Sequence, residues 1–109
     1  MKDIFIDDVG NGYPFIFVHG FLGSSEMWSL QKNYFKSKFR IISPALPGFG
    51  ESYKASSLNS INDMANFVLE VIGEKKINKF HLIGHSMGGM IVQEIAKIAG
   101  DKIEKLICF

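Results

Sequence analysis

Three short apolar runs, "FIFV" (15–18), "FRIIS" (39–43) and "KFHLIG" (79–84), do not alternate polar with apolar positions. A strand with one wet face alternates, whereas a strand covered on both faces reads as continuous apolar sequence. Each run is followed by a loop and then by helix-forming sequence. After the first, Ser25 is placed to cap a helix over roughly 26–37, with Met27, Leu30, Tyr34 and Phe35 on its apolar face. After the second comes the long Gly- and Pro-containing loop "PALPGFGESYKASSLN" (44–59). Ser60 then opens a helix marked by Ile61, Met64, Ala65, Val68, Leu69 and Ile72. Ser60 and Asp63 stand at capping-box spacing, although the motif favours Glu or Gln at the second position. After the third run, residues 87–99 form the next helical pattern, and "KIEKLICF" (102–109) begins a further strand. An alternating "DIFID" before the turn "VGNGYP" (9–14) reads as an edge strand. Strand and helix in this alternation imply right-handed crossovers and a mostly parallel sheet flanked by helices, an α/β fold. Ligand sites in such sheets lie at the carboxyl ends of the strands. The loops 19–25, 44–59 and 84–88 all open there.

The composition narrows the function classes. In 109 residues, 12 Lys and Arg oppose 11 Asp and Glu, a balance that gives no electrostatic case for nucleic acid or an anionic membrane. Cys108 is the single cysteine, so an intrachain disulfide and a cysteine-based zinc site are excluded. It reads as a small buried hydrophobe. The first ten residues carry Asp3, Asp7 and Asp8 and do not read as a secretory leader, and no run reaches the length of a membrane span. The expected location is cytoplasmic.

Gly84-His85-Ser86-Met87-Gly88 matches G-x-S-x-G between a buried-type strand and a helix. Context makes the match informative. A nucleophile elbow needs a serine on a sharp strand-to-helix turn, with glycines at 84 and 88 where side chains would strike backbone. The turn lifts the Ser86 hydroxyl above the sheet and aims the helix N-terminus, with its unpaired amides, at the reaction centre. The competing reading, a phosphate-binding βα turn, lacks both G-x-G-x-x-G and G-x-x-x-x-G-K-[ST]. "FIFVHGFLGSS" supplies a second element. Gly20 lets the chain turn after His19, so the amide of Phe21, or of Leu22, can face Ser86 opposite the amide of Met87. Two such donors form an oxyanion hole.

"VHGFLGSSEMW", "PALPGFGES" and "IGHSMGG", in this order and spacing, resemble the α/β-hydrolase superfamily, most closely its esterase, peroxidase-like and C–C-bond hydrolase branch. The resemblance covers essentially the whole chain but only the N-terminal half of a typical member. It implies a partial α/β-hydrolase fold over 1–109, ending before the last strands and without the lid. It also implies Ser86 as nucleophile, with Met87 and Phe21 as backbone oxyanion donors. One departure is Ala45, where many relatives carry aspartate.

The remaining candidates read more simply. His19 orients the oxyanion loop, His85 lies inside the elbow beside Ser86, and His81 sits in mid-strand. Met87 and Met90 border the pocket or pack the core, and Trp28 and Phe49 wall an acyl site or fill the core. Lys75, Lys76 and Lys79 form a solvated face. The triad order in this fold is Ser, then Asp or Glu, then His. After Ser86 come Glu94, Asp101 and Glu104, none in a loop after a later strand, and no histidine. The chain therefore reads as part of a serine hydrolase that acts on an ester, thioester, amide or C–C bond of a small acyl substrate through an acyl-enzyme. It needs no cofactor or metal. Alone it is expected to be inactive and to self-associate through its last strand edge. The alternative is a non-catalytic, receptor-like binder on the same fold; late Asp and His residues in a longer sequence would support the enzyme, and their absence the binder.

Overall fold

The computed structural model describes residues 2–21 and 23–108. Strands β1 (Ile6–Val9), β2 (Tyr13–Val18), β3 (Phe39–Pro44), β4 (Phe80–Gly84) and β5 (Ile103–Cys108) form one sheet in the order β1-β3-β2-β4-β5. β1 pairs antiparallel with β3, while β3–β2, β2–β4 and β4–β5 are parallel. The helices are α1 (Ser29–Phe35), α2 (Ile61–Glu74) and α3 (Met87–Ala99).

The continuous apolar runs divide between two faces, as the lack of alternation requires. Ile16, Val18, Ile42, Phe80 and Leu82 pack on the face that carries α2 and α3, against Met64, Val68, Ile72, Ile91, Val92 and Ile95. Phe15, Phe17 and Ile41 point the other way, onto Trp28 and Phe35. His81 lies on that second side among the rings of Tyr13, Phe15 and Phe39, with centroids 4.7 to 5.8 Å away. Burial holds it below the usual histidine pKa. α2 begins as expected, with Ser60 Oγ accepting from the Asp63 amide at 3.0 Å.

Several expectations are corrected. The edge strand is Ile6–Val9 and not the run at 3–7, because register is set by pairing with β3, from Ile6 opposite Pro44 to Val9 opposite Ile41. Asp7 and Asp8 belong to it, opposite Ser43 and Ile42, and both are ion-paired, Asp7 with Lys32 and Asp8 with Arg40 and Lys75. Lys75 is therefore tied to the sheet and is not simply part of a solvated face. The helix expected over 26–37 splits into a 3-10 turn at Ser25–Trp28 and a short α1. Ser24, not Ser25, provides the cap, through the Glu26 amide, since the side chain of Ser25 is engaged elsewhere. The proposed apolar face is largely wet: Leu30 and Tyr34 are 80 % and 78 % exposed. Buried Trp28 anchors this segment instead, edge-on to Phe17 at 5.0 Å, and so belongs to the core rather than to an acyl site. Cys108 is exposed, not buried. Among the described residues no helix is long and apolar enough to cross a membrane, and no cluster of His, Cys, Asp and Glu could hold a metal ion.

Candidate active site

Ser86 stands between β4 and α3 with φ 59° and ψ −120°. A non-glycine residue in this region costs on the order of 1–3 kcal/mol and persists only where its surroundings over-determine it. Those surroundings are glycine and backbone. A Cβ on Gly84 would lie 2.2 Å from the Gly88 carbonyl oxygen, and one on Gly88 would lie 2.2 Å from that of Val18. Close approach at 84 and 88 therefore requires glycine, as the sequence suggests. The His85 amide donates to the Val18 carbonyl at 3.2 Å, and the Gly88 amide to the His85 carbonyl at 2.9 Å, fixing the elbow on both sides. Ser86 is exposed, and its hydroxyl makes no capping hydrogen bond to α3. An ordinary N-cap serine would spend its oxygen on that bond.

The His-Gly loop closes against this elbow. A Cβ on Gly20 would meet the His85 carbonyl oxygen at 2.8 Å, Ser86 Cβ at 3.1 Å and the Met87 nitrogen at 3.3 Å. Gly20 thus brings the chain leading into Phe21 up to the first amide of α3. As the first helical residue, Met87 has no intrahelical acceptor for its N–H. Phe21 is exposed, and its ring packs edge-on to half-buried Phe49 at 5.6 Å. Phe49 also lies 6.1 Å from the His19 ring, so it borders the loop rather than the core centre. Leu22, the other candidate donor, lies outside the described residues.

His19 is fully buried. The Leu46 amide donates to its Nε2 at 2.9 Å, and its Nδ1 lies 2.8 Å from the Gly20 carbonyl. An amide can only donate, so Nε2 is the acceptor and Nδ1 carries the proton that reaches Gly20. Burial pushes the His19 pKa down, against the opposing pull of the Gly20 carbonyl and the Glu51 charge. Both nitrogens are occupied in joining the loop after β2 to the loop after β3. The ring orients the loop and is not available as a base for Ser86. At Ala45, where the resemblance leads one to expect aspartate, the loop is held by backbone and by Ser52. The Ala45 amide donates to the Phe5 carbonyl at 2.9 Å, and Ser52 Oγ donates to the Ala45 carbonyl at 2.8 Å.

Sequence reasoning missed Glu51 and read Ser25 only as a helix cap. Ser25 Oγ donates to Glu51 Oε2 at 2.7 Å and its amide to Oε1 at 3.2 Å. Neither residue belongs to a periodic pattern, and their contact spans two loops. The three acidic residues after Ser86 lie apart from it. Glu94 accepts from Asn62 at 2.8 Å, the Asp101 carbonyl accepts from Lys79 at 2.6 Å, and Glu104 is exposed on β5. Beside Ser86 a shallow concavity of about 240 Å³ is lined by Gly89, Met90, Gln93 and Cys108.

A mostly parallel sheet with a strained, exposed serine on the turn between its fourth strand and the next helix is the arrangement that the G-x-S-x-G resemblance implies. Comparison makes this specific. The family described as alpha/beta hydrolase fold matches residues 13–108, and the chain belongs to it. An AB hydrolase superfamily protein of Bacillus subtilis, YisY, is 35 % identical over 106 residues, which cover 95 % of this chain and 40 % of that protein. A pimeloyl-(acyl-carrier protein) methyl ester esterase of Nitrosomonas europaea is 28 % identical over 107 residues, 98 % of this chain and 40 % of that one. The solved structure of a thermophilic esterase from Thermogutta terrifontis superposes with a TM-score of 0.88 at 29 % identity, over 96 % of this chain and 39 % of that one. The chain thus spans about two-fifths of the length of each.

Proposed function

We propose that Ser86 is the nucleophile of a serine hydrolase acting on an ester of a small acyl compound. Its Oγ attacks the acyl carbonyl. The amides of Met87 and Phe21 receive the developing oxyanion, the alcohol departs with a proton, and water then releases the acid and restores the serine. Met87, Phe21 and Ser86 carry this reading, and His19, Gly20, Gly84 and Gly88 support it by shaping the two loops. The observation that carries it is the exposed Ser86 at φ 59° with its hydroxyl unspent on capping, pressed against the Gly20 turn. Esterases among the relatives support the choice of an ester.

A serine hydroxyl needs a base, and the base an orienting acid. His19 has both nitrogens occupied and His81 packs among aromatic rings on the far face of the sheet. In this reading the acid and histidine come from outside residues 1–109. The 109-residue chain then contributes nucleophile and oxyanion hole only, and its turnover is low. The test is p-nitrophenyl butyrate hydrolysis by the 109-residue chain and by the product of the complete gene, each beside Ser86→Ala. Turnover by the complete product that disappears in Ser86→Ala is expected. Turnover that survives Ser86→Ala would overturn the nucleophile.

A further inference from the structure

The loop carrying Phe21 is gripped at both ends by the loop after β3. At its start, His19 takes the Leu46 amide. At its end, buried Ser25 places both its amide and its hydroxyl on the two oxygens of one carboxylate, Glu51. The two loops also touch directly between these points. Gly50 (φ 49°) passes so close to Ser24 that a Cβ there would lie 2.4 Å from that of Ser24. Gly23 closes the turn by donating its amide to the Gly20 carbonyl at 3.0 Å. Phe21 lies inside this short bracketed span, its ring on Phe49 of the same partner loop.

We propose that Glu51 is a positioning residue for the chemistry at Ser86: by holding Ser25 it fixes the far end of the 19–25 loop and so the aim of the Phe21 amide. The inference rests on the reading of Phe21 as an oxyanion donor. Its physical basis is that an oxyanion hole works only when preorganised, because donors that must reorient at the moment of reaction lose most of their effect. Without the Ser25–Glu51 contact, the stretch between His19 and buried Trp28 is held only by the Gly23–Gly20 hydrogen bond and the close approach of Gly50 to Ser24. A carboxylate suits the second anchor because it presents two acceptors to the two donors of one serine. Burial pushes the Glu51 pKa up, but the Ser25 hydrogen bonds, helped by its own amide and the Lys32 charge, more than offset this and keep it below the usual glutamate value. The clamp is therefore charged at neutral pH.

The test uses the product of the complete gene, with p-nitrophenyl butyrate as substrate and an alkyl boronic acid as the tetrahedral adduct on Ser86. Glu51→Ala should lower kcat about tenfold and weaken the boronate about tenfold, with KM within about twofold, since a misaimed donor is felt where charge develops and not in ground-state binding. Glu51→Gln, whose carbonyl can take the Ser25 amide while its NH2 meets the hydroxyl, should stay within about threefold of wild type. Active-site titration with a fluorophosphonate run to completion counts the folded sites. Should Glu51→Ala not fold, Ser25→Ala decides, with an expected kcat loss of about threefold at constant KM. Unchanged kcat and boronate affinity in Glu51→Ala, or in Ser25→Ala, would overturn the proposal. So would a loss matched by the fraction of sites that no longer titrate. Activity that persists in Ser86→Ala refutes the nucleophile instead, so the two failures are distinguishable.

Discussion

Adding one methyl group at Gly20 separates fold from function more sharply than removing any side chain. A Cβ there would sit 2.8 Å from the His85 carbonyl oxygen and 3.3 Å from the Met87 nitrogen. The nearer obstacle is backbone, locked by the Gly88 amide, and cannot rotate away. Restoring an ordinary contact requires the 19–25 loop and the elbow to part by about half an ångström. A displacement of about 1 Å at a reacting centre costs about 100-fold in rate, so half of it is worth roughly tenfold, or about 1.4 kcal/mol of transition-state stabilisation. Overpacking by a single methyl group also lowers stability, by about 1 kcal/mol at the low end of its range.

The expected result for Gly20→Ala in the complete gene product is therefore a roughly tenfold lower kcat for p-nitrophenyl butyrate, with little change in KM and a melting temperature lower by a few degrees. Gly73→Ala is the control. Nothing lies within 4 Å of a Cβ at Gly73, which is inside α2. Gly73 lies in the last turn of α2, so that variant should gain at most about 0.5 kcal/mol of stability from helix propensity and keep its kcat. If Gly20→Ala turns over ester at the wild-type rate, the two loops do not form one oxyanion site and the geometric argument fails.

Three further outcomes follow from the same structure. Asp8, bonded to Arg40 and Lys75, has its pKa lowered from 3.8 to about 2. A lowered carboxylate pKa stabilises the fold above the unfolded value, and that stability is lost as pH falls from about 4 toward 2. With about a quarter of its side chain exposed, screening leaves about 1–2 kcal/mol. Asp8→Asn should therefore lower urea-melt stability by that amount at pH 7 and have little effect near pH 2. Lys76 follows the C-cap of α2 with φ 59°, its amide and that of Ile77 reaching back to the Gly73 and Ile72 carbonyls. Lys76→Gly should raise stability by about 0.5–1 kcal/mol in thermal melts, since glycine adopts this left-handed cap without a Cβ penalty. β5 forms the sheet edge, with Leu106 and Ile107 39 % and 44 % exposed, so the isolated 109-residue chain should self-associate through that strand. Sedimentation velocity checks this, and Ile107→Lys should restore the monomer.

What the sequence made legible was whatever depends on neighbours along the chain. Phe15 to Val18 announce a doubly covered strand because burial on both faces leaves no polar position. Gly84, Ser86 and Gly88 announce the elbow because the backbone collisions that demand glycine occur within five residues. The positive φ at Ser86 follows from the same spacing. The misreadings lie where a residue's partner is remote. Leu30 and Tyr34 have helical spacing, yet spacing does not say that the sheet area beside them is already occupied by Trp28, a residue in the preceding 3-10 turn. Asp7 closes the alternating run and Asp8 falls outside it until Lys32 of α1, Arg40 of β3 and Lys75 at the C-cap of α2 arrive to pair with them. Ser25 looks like a helix cap because a serine before a helical run is one in most contexts, and only the approach of a loop 26 residues later makes it a donor to Glu51. That approach is itself a consequence of parallel topology. β2 and β3 are neighbours running the same way, so the loops that leave their carboxyl ends must meet at one edge of the sheet. The pattern that placed Ser86 at that edge thus also required something to join the loops around it. The sequence left open which side chains would do so, because that choice is made by packing across the edge and not by spacing along the chain.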